Sequence, residues 1–225
     1  MPDGSESPAR VRIDVVSDVV CPWCYIGKHR LESALALTPD TPVEVVFQPY
    51  FLNPWIPREG IDRKTYLETK FGSVERYTAI AKRVADAAKA EGLAYLADKI
   101  SRQPNTLDCH RLILWAREDA EPARVKQRLM ELYFAAGADL SDRAVLVQAA
   151  KECGMDAERV RARLATDEDV ERISSEANSA KDAGIDGVPT FIFDSRTLVT
   201  GAQPPDYLAS AIAHAAGQGT RATVA

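Results

Sequence analysis

The chain of 225 residues is 46% hydrophobic and carries a formal net charge of −5, enough apolar material for one good-sized core, or a core with a satellite, in a soluble globular protein. Its charges are scattered, and the absence of a basic stripe or of interleaved aromatic and basic residues argues against a nucleic-acid partner. No run of eighteen apolar residues occurs, so no membrane-spanning helix is expected.

The opening segment, Met1–Pro8, has neither a basic n-region nor an apolar h-region, so no secretory signal is expected and the cytoplasm is the expected location. Val11-Arg12-Ile13-Asp14-Val15-Val16 alternates apolar and polar at period two over most of its length and is rich in β-branched residues, which predicts a strand. Cys21-Pro22-Trp23-Cys24 follows. Beyond it come Tyr25, Ile26, Leu31, Leu35 and Leu37, with Lys28, Arg30 and Glu32 between them and no proline before Pro39, which predicts a helix. Pro22 suits the first helical turn, where a missing N–H costs nothing.

Cys21 therefore belongs at a helix N-terminus, where free backbone N–H groups and the helix dipole favour a thiolate, the nucleophile of disulfide exchange. Cys24, one turn further on, is expected to turn its sulfur inward beneath Cys21, ready to attack a mixed disulfide and release the substrate. A lone CxxC also serves as half of a zinc site, which takes two more ligands. Cys109-His110 and Cys153 are the other thiol candidates, and neither belongs to a second CxxC or an HxxxH, so the redox reading is preferred and no metal is expected. In a reducing compartment structural disulfides are rare, which points the pair toward catalysis and leaves Cys109 and Cys153 as free thiols.

Val43-Glu44-Val45-Val46-Phe47 predicts a second strand, followed by a proline-rich loop from Pro49 to Pro57 that holds Leu52-Asn53-Pro54. From about Arg63 to Lys181 no strand is evident. Apolar residues recur at helical spacing instead: Val74, Tyr77, Ala81, Val84 and Ala88; Leu107, Leu114 and Trp115; Val125, Leu129, Leu132 and Tyr133; Ala144, Leu146, Val147 and Ala150; Val160 and Leu164. Gly92, Pro104, Pro122, Gly137 and Gly154 mark the breaks, with Ser141 and Asp156 as N-caps. Cys109 lies inside one helix, where a small buried hydrophobe is its default role, and Cys153 at the end of another.

Gly184-Ile185-Asp186-Gly187-Val188-Pro189-Thr190-Phe191-Ile192-Phe193 brings a Gly-x-Pro-Thr into an apolar strand, far downstream of a strand-CxxC-helix unit. Thr197–Thr200 is its hairpin partner, Tyr207–Ala215 a closing helix, and the small polar tail from Gly217 is expected to fray. With Ser17-Asp18 before the CPWC, Ile26-Gly27, Leu52-Asn53-Pro54, Asn105 with His110-Arg111-Leu112, Gly187-Val188-Pro189-Thr190 and Gly201-Ala202-Gln203-Pro204, the chain from about Val11 to Leu208 resembles the DsbA-like thioredoxin superfamily, and within it the FrnE-like branch.

The resemblance implies an α/β, thioredoxin-like fold with an all-helical domain inserted between its two halves. Residues 10–60 and 182–216 form the thioredoxin-like part, 61–181 the insert, and 1–9 and 217–225 flexible termini. A ligand cleft is expected between the two parts. The resemblance also implies that the Val188–Pro189 bond is cis and lies against Cys21, which puts Pro189 with the catalytic residues, and that the Val188 backbone offers strand-like hydrogen bonds to an incoming chain. Pro22 and Trp23, beside the reactive sulfur, are candidates to touch substrate, Trp23 reading alternatively as a helix-surface aromatic packed on the insert. Asn53 and Asn105 match family positions and read either as substrate-binding amides or as turn and cap residues. His110 reads either as a group tuning the thiolate or as a satisfied structural histidine.

One departure stands out: many thioredoxin-like proteins carry a buried carboxylate six positions ahead of the first cysteine, and here that position is Val15. Asp18, the nearer of the two closest carboxylates, reads either as a tuning group or as a solvated turn residue. The expected activity is thiol–disulfide exchange as an oxidoreductase or isomerase, without metal or organic cofactor. The substrate is expected to be a protein or small-molecule thiol or disulfide, glutathione is a candidate co-substrate, a redox partner that the sequence does not identify is implied, and a homodimer is a further candidate assembly. Two alternatives stand beside it. Kappa-class glutathione transferases and 2-hydroxychromene-2-carboxylate isomerases share the plan but characteristically have serine where Cys21 stands and lack a resolving thiol. A non-enzymatic, chaperone-like binding protein is the other.

Overall fold

Residues 10–221 are described in the computed structural model, with side chains through residue 217. Strand β1 (Val11–Ser17) buries Val11, Ile13 and Val15 in the main core. It runs into the loop that ends at Cys21 and into helix α1 (Pro22–Leu37), with Pro22 in the first turn. Strand β2 (Val43–Pro49) pairs with β1 in parallel, Val15 opposite Phe47. On the other side of β1 lies the antiparallel β5 (Thr190–Phe193), with Val16 opposite Thr190, and β6 (Thr197–Thr200) closes the order β2-β1-β5-β6. The β5–β6 turn takes Asp194 and Ser195 at φ 49° and 55°, and Arg12 and Asp194 exchange two hydrogen bonds that tie the turn to β1.

Between β2 and β5 stand α2 (Arg63–Phe71), α3 (Val74–Ala90), α4 (Leu107–Asp119), α5 (Pro122–Phe134), α6 (Arg143–Glu152), α7 (Ala157–Leu164) and α8 (Val170–Asp182). The chain closes with α9 (Pro205–Arg221), which packs against α1. One continuous core joins the inner faces of β1, β2 and α1 to Leu112 and Trp115 of α4 and Leu129, Met130, Tyr133 and Phe134 of α5. Tyr25 of α1 stacks on Phe134 at 5.3 Å between ring centroids, so the inserted helices rest directly on the helix that carries the cysteines. Among the described residues no helix is long and apolar enough to cross a membrane.

Three expectations need correction. The inserted segment is not wholly helical: β3 (Ile61–Asp62) and β4 (Arg102–Gln103) form a separate antiparallel pair. Two residues are too few to show a period of two, and the partner lies beyond two intervening helices, so no local pattern announces the pairing. The N-cap of α6 is Asp142, whose carboxylate accepts from Ala144 N at 2.8 Å; Ser141 lies one residue outside the helix, its N–H bonded to Asp139 Oδ1 at 2.8 Å. The last helix does not stop at Ala215 but continues to Arg221, Leu208, Ile212 and Ala215 fixing its inner face in the core. The remaining expected flexible ends, 1–9 and 222–225, lie outside the described residues.

Candidate active site

Cys21 caps α1 with extended backbone (φ −88°, ψ 115°), and its carbonyl accepts from Cys24 N at 3.0 Å and Tyr25 N at 3.2 Å, starting the helix. Its sulfur lies 3.5 Å from the Val188 carbonyl, to which the thiol donates. The Val188–Pro189 bond is cis; Gly201 N holds the Pro189 carbonyl at 2.8 Å and Thr190 Oγ1 holds that of Gly187 at 2.8 Å. Cys24 sits one turn into α1 and is 1% exposed, against 4% for Cys21. Burial, and the hydrogen bond it shares with the Cys21 sulfur, push the Cys24 thiol well up. Cys24 therefore keeps its proton while Cys21 faces the cleft.

That cleft has a volume of about 310 Å³. Cys21, Pro22, Trp23 and Val188 line one side. Arg63, Tyr66 and Lys70 of α2, Tyr77 of α3, Tyr95 and Tyr133 line the other. Trp23 is 36% exposed, a wall residue on the cleft. Arg63 donates to Gln103 Oε1 at 2.5 Å and to Tyr77 OH at 2.9 Å, and its guanidinium stands 5.0 Å from the Tyr66 ring centroid. Lys70 Nζ donates to Asn53 Oδ1 at 2.5 Å, and burial pulls its ammonium down. Two cations fixed among aromatic rings make a cleft suited to an anionic, partly apolar ligand.

The two asparagines part company. Asn53 is buried behind the cleft wall, holding Lys70 and, at 3.4 Å, the Tyr66 hydroxyl. Asn105 is not brought to the cleft: its amide donates to Ile56 O at 2.7 Å and its carbonyl accepts from Leu107 N at 2.9 Å, which locks a loop to the start of α4. Asp18 is no solvated turn residue. It is 1% exposed, accepts from Leu52 N at 2.9 Å, and has Oδ1 3.3 Å from His110 Nε2. That approach is at ion-pair range but is not aligned as a hydrogen bond, and neither atom has another hydrogen-bonding partner. Burial pushes the Asp18 carboxyl up, but His110, Leu52 N and Thr106 outweigh it and hold it below the ordinary range. Burial pulls the His110 imidazole down against the opposing pull of Asp18. His110 thus packs beside the loop ahead of Cys21. Among the described residues no cluster of three or more His, Cys, Asp or Glu side chains is arranged for a metal ion.

The DSBA-like thioredoxin domain matches residues 12–213. The chain belongs to that family. Among DsbA-like structures, a probable DsbA oxidoreductase from Streptomyces coelicolor is 34% identical, with a TM-score of 0.82 over 92% of this chain and 91% of that one. The cytosolic disulfide reductase DsbM from Pseudomonas aeruginosa, solved with GSH, shares the fold at 18% identity and a TM-score of 0.64, covering 90% of this chain and 98% of that one. The uncharacterized protein YwbO of Bacillus subtilis is 26% identical over 204 residues, 90% of this chain and 96% of its own length. In this DsbA-like chain the sequence reading missed Arg63, Tyr66 and Lys70, although their i, i+3, i+7 spacing already places them on one face of a helix.

Proposed function

We propose that the chain is a cytoplasmic thiol–disulfide oxidoreductase of the FrnE-like kind, acting on a protein or small-molecule disulfide and taking glutathione as co-substrate. The observation that carries this reading is the buried Cys21–Cys24 pair at a helix N-terminus, its outer sulfur at the floor of a cationic, aromatic cleft. The Cys21 thiolate attacks one sulfur of the substrate disulfide; that S–S bond breaks, the far sulfur leaves as a thiolate, and a mixed disulfide remains on Cys21. Cys24, once deprotonated, attacks the Cys21 sulfur, expels the second substrate thiolate and closes the Cys21–Cys24 disulfide. An external thiol then reduces that disulfide, and no metal or organic cofactor enters the cycle. Arg63 and Lys70 suit the carboxylates of glutathione, and the retained Cys24 favours exchange over a transferase or isomerase reaction, which needs no resolving thiol.

The test is the oxidised fraction of the pair across a series of glutathione redox buffers, read by thiol alkylation and mass, with Cys21→Ser as control. A two-electron transition is expected, and its midpoint gives the direction of physiological work. A pair that stays unreactive, or glutathione bound without exchange, refutes the proposal in favour of a transferase-like or binding role.

A further inference from the structure

The cations of α2 divide by what surrounds them. Lys64 is exposed and pairs with Glu68 at 3.9 Å. Arg63, half-buried in the cleft wall, is held by uncharged acceptors: Nη1 donates to Gln103 Oε1 at 2.5 Å and to Tyr133 OH at 3.3 Å, and Nη2 to Tyr77 OH at 2.9 Å. Those bonds leave part of its fork of N–H donors unused, and Nε is buried without a partner. The guanidinium lies 5.0 Å from the Tyr66 ring centroid and 5.1 Å from that of Tyr77. Its backbone N–H donates to Ser101 O at 3.0 Å, so the charge is fixed from both ends of the residue.

Among the described residues no carboxylate pairs with Arg63 or with Lys70. Lys70 has the Asn53 amide oxygen as its partner; Asp18 acts on it from beyond ion-pair distance and is engaged by Leu52 N–H, with His110 beside it. A half-buried guanidinium without a counter-ion is costly unless a ligand supplies the negative charge. The rest of this wall is aromatic, and the hydroxyls of Tyr66, Tyr77, Tyr95 and Tyr133 are engaged within it. What the wall offers a ligand is therefore one uncompensated, forked cation set among ring faces. Cys21, 4% exposed, lines the same cleft of about 310 Å³, a volume at the small-ligand end of the range for binding pockets.

We propose that this cleft selects a small-molecule disulfide one half of which is an aromatic carboxylate, with Arg63 as the specificity-determining residue. The inference rests on the exchange reading above and narrows its substrate class; glutathione keeps the role of the external thiol that reduces the pair. The carboxylate takes the place of the counter-ion that Arg63 lacks, gripped by the fork of the guanidinium. The ring packs among Tyr66, Tyr77 and Tyr95, where offset or edge-on aromatic contacts add to the apolar area removed from water. An uncharged disulfide of the same shape would gain the ring contacts and leave the cation uncompensated, which is the difference that makes the site selective.

Two aryl disulfides separate charge from shape: dithiobis(nitrobenzoate), with a carboxylate on each ring, and the uncharged dithiodipyridine. Each is mixed with the reduced protein and the release of its aryl thiol is followed by absorbance. In Arg63→Gln the second-order rate constant for the carboxylated disulfide, divided by that for the uncharged one, should fall about 10–100-fold, the scale of hydrogen bonds to a charged group, and Arg63→Lys should recover part of the loss. A merely structural role would slow both disulfides alike, so an unchanged ratio in folded Arg63→Gln overturns the proposal. Should the variants fail to fold, alkylation of Cys21 by iodoacetamide in the unaltered protein decides: naphthoate should slow it and naphthamide, of the same shape without the charge, should not. Equal protection by both, or by neither, overturns the proposal. Failure of the unaltered protein to react with either disulfide overturns the exchange reading itself, while protection by naphthoate is read without exchange, so the two failures are distinguishable.

Discussion

Gly27→Ala puts two local effects against each other. Gly27 lies inside α1, and replacing a mid-helix glycine with alanine ordinarily stabilises by about 0.5–1 kcal/mol. Here the new Cβ would sit 2.8 Å from Pro189 Cγ, 3.4 Å from Phe191 Cζ and 3.5 Å from Ala202 Cβ. Carbon atoms settle at about 3.5–4.0 Å, so Pro189 must retreat by roughly 0.7 Å or α1 must lift by as much. Neither yields easily: the Pro189 carbonyl is held by Gly201 N at 2.8 Å, and α1 is pinned by Tyr25 stacked on Phe134. Overpacking of this kind costs about 1–3 kcal/mol, which outweighs the helix gain and leaves a net loss of about 1–2 kcal/mol. At this chain length that corresponds to a Tm lower by roughly 2–8 °C. The displaced segment carries the Val188 carbonyl against Cys21, and misplacement approaching 1 Å near reacting atoms costs up to about 100-fold in rate, so exchange should slow by about tenfold or more. Thermal unfolding of the reduced protein and turnover of a fluorogenic mixed disulfide measure the two effects. A variant as stable as the parent and equally fast would show that Pro189 does not press on α1 at Gly27.

Cys24→Ser should attack once and accumulate as a mixed disulfide on Cys21, visible as an added mass that excess thiol removes; continued turnover would refute the division of roles. Asp18 and His110 both hold their protons less tightly folded than unfolded, so each contributes stability above its unfolded pKa that is lost as pH falls, for His110 from about 6.5 downward and for Asp18 through the acid range below about 4. Urea unfolding should therefore show stability declining as pH falls below about 6.5, and His110→Gln should flatten that limb; a parent curve already flat there would remove the pair from the argument. Lys70→Ala should lower the preference for glutathione disulfide over an uncharged disulfide by about tenfold or more, the scale of a charged hydrogen bond, and an unaltered preference would take Lys70 out of substrate recognition.

The parts of this site legible in the sequence are those written in local pattern. The alternation of β1, the proline after Cys21 and the Gly-x-Pro-Thr before β5 each combine a backbone requirement with a short spacing, and the structure brings all three to one point. The groups that local pattern left undecided or unnoticed depend on burial created elsewhere in the chain. Asp18 reads equally as a tuning group or a turn aspartate until α4 sets His110 and Thr106 beside it. Lys126 looks like a solvated charge on an amphipathic helix until α5 turns that position toward Phe47. For Asn105 the structure takes the turn-and-cap reading over the substrate one, a choice the sequence leaves even because an amide next to a proline looks the same whether it faces a substrate or ties down a loop.

These misses share an origin: every one lies in the inserted helices or is buried by them. The sheet and α1 contribute both thiols and the Val188–Pro189 segment. On the cleft side, α2 and α3 add Arg63, Tyr66, Lys70 and Tyr77, and behind it α4 sets His110 beside Asp18. The insert is therefore a wall of the site rather than an appended cap. About 1.4 kcal/mol corresponds to 30 mV in the potential of a dithiol, and one buried charge gained or lost near Cys24 is enough to supply that difference. Redox poise in this chain should accordingly respond more to substitution of His110, which stands beside Asp18 in the loop ahead of Cys21, than to equally conservative changes on the exposed face of α1.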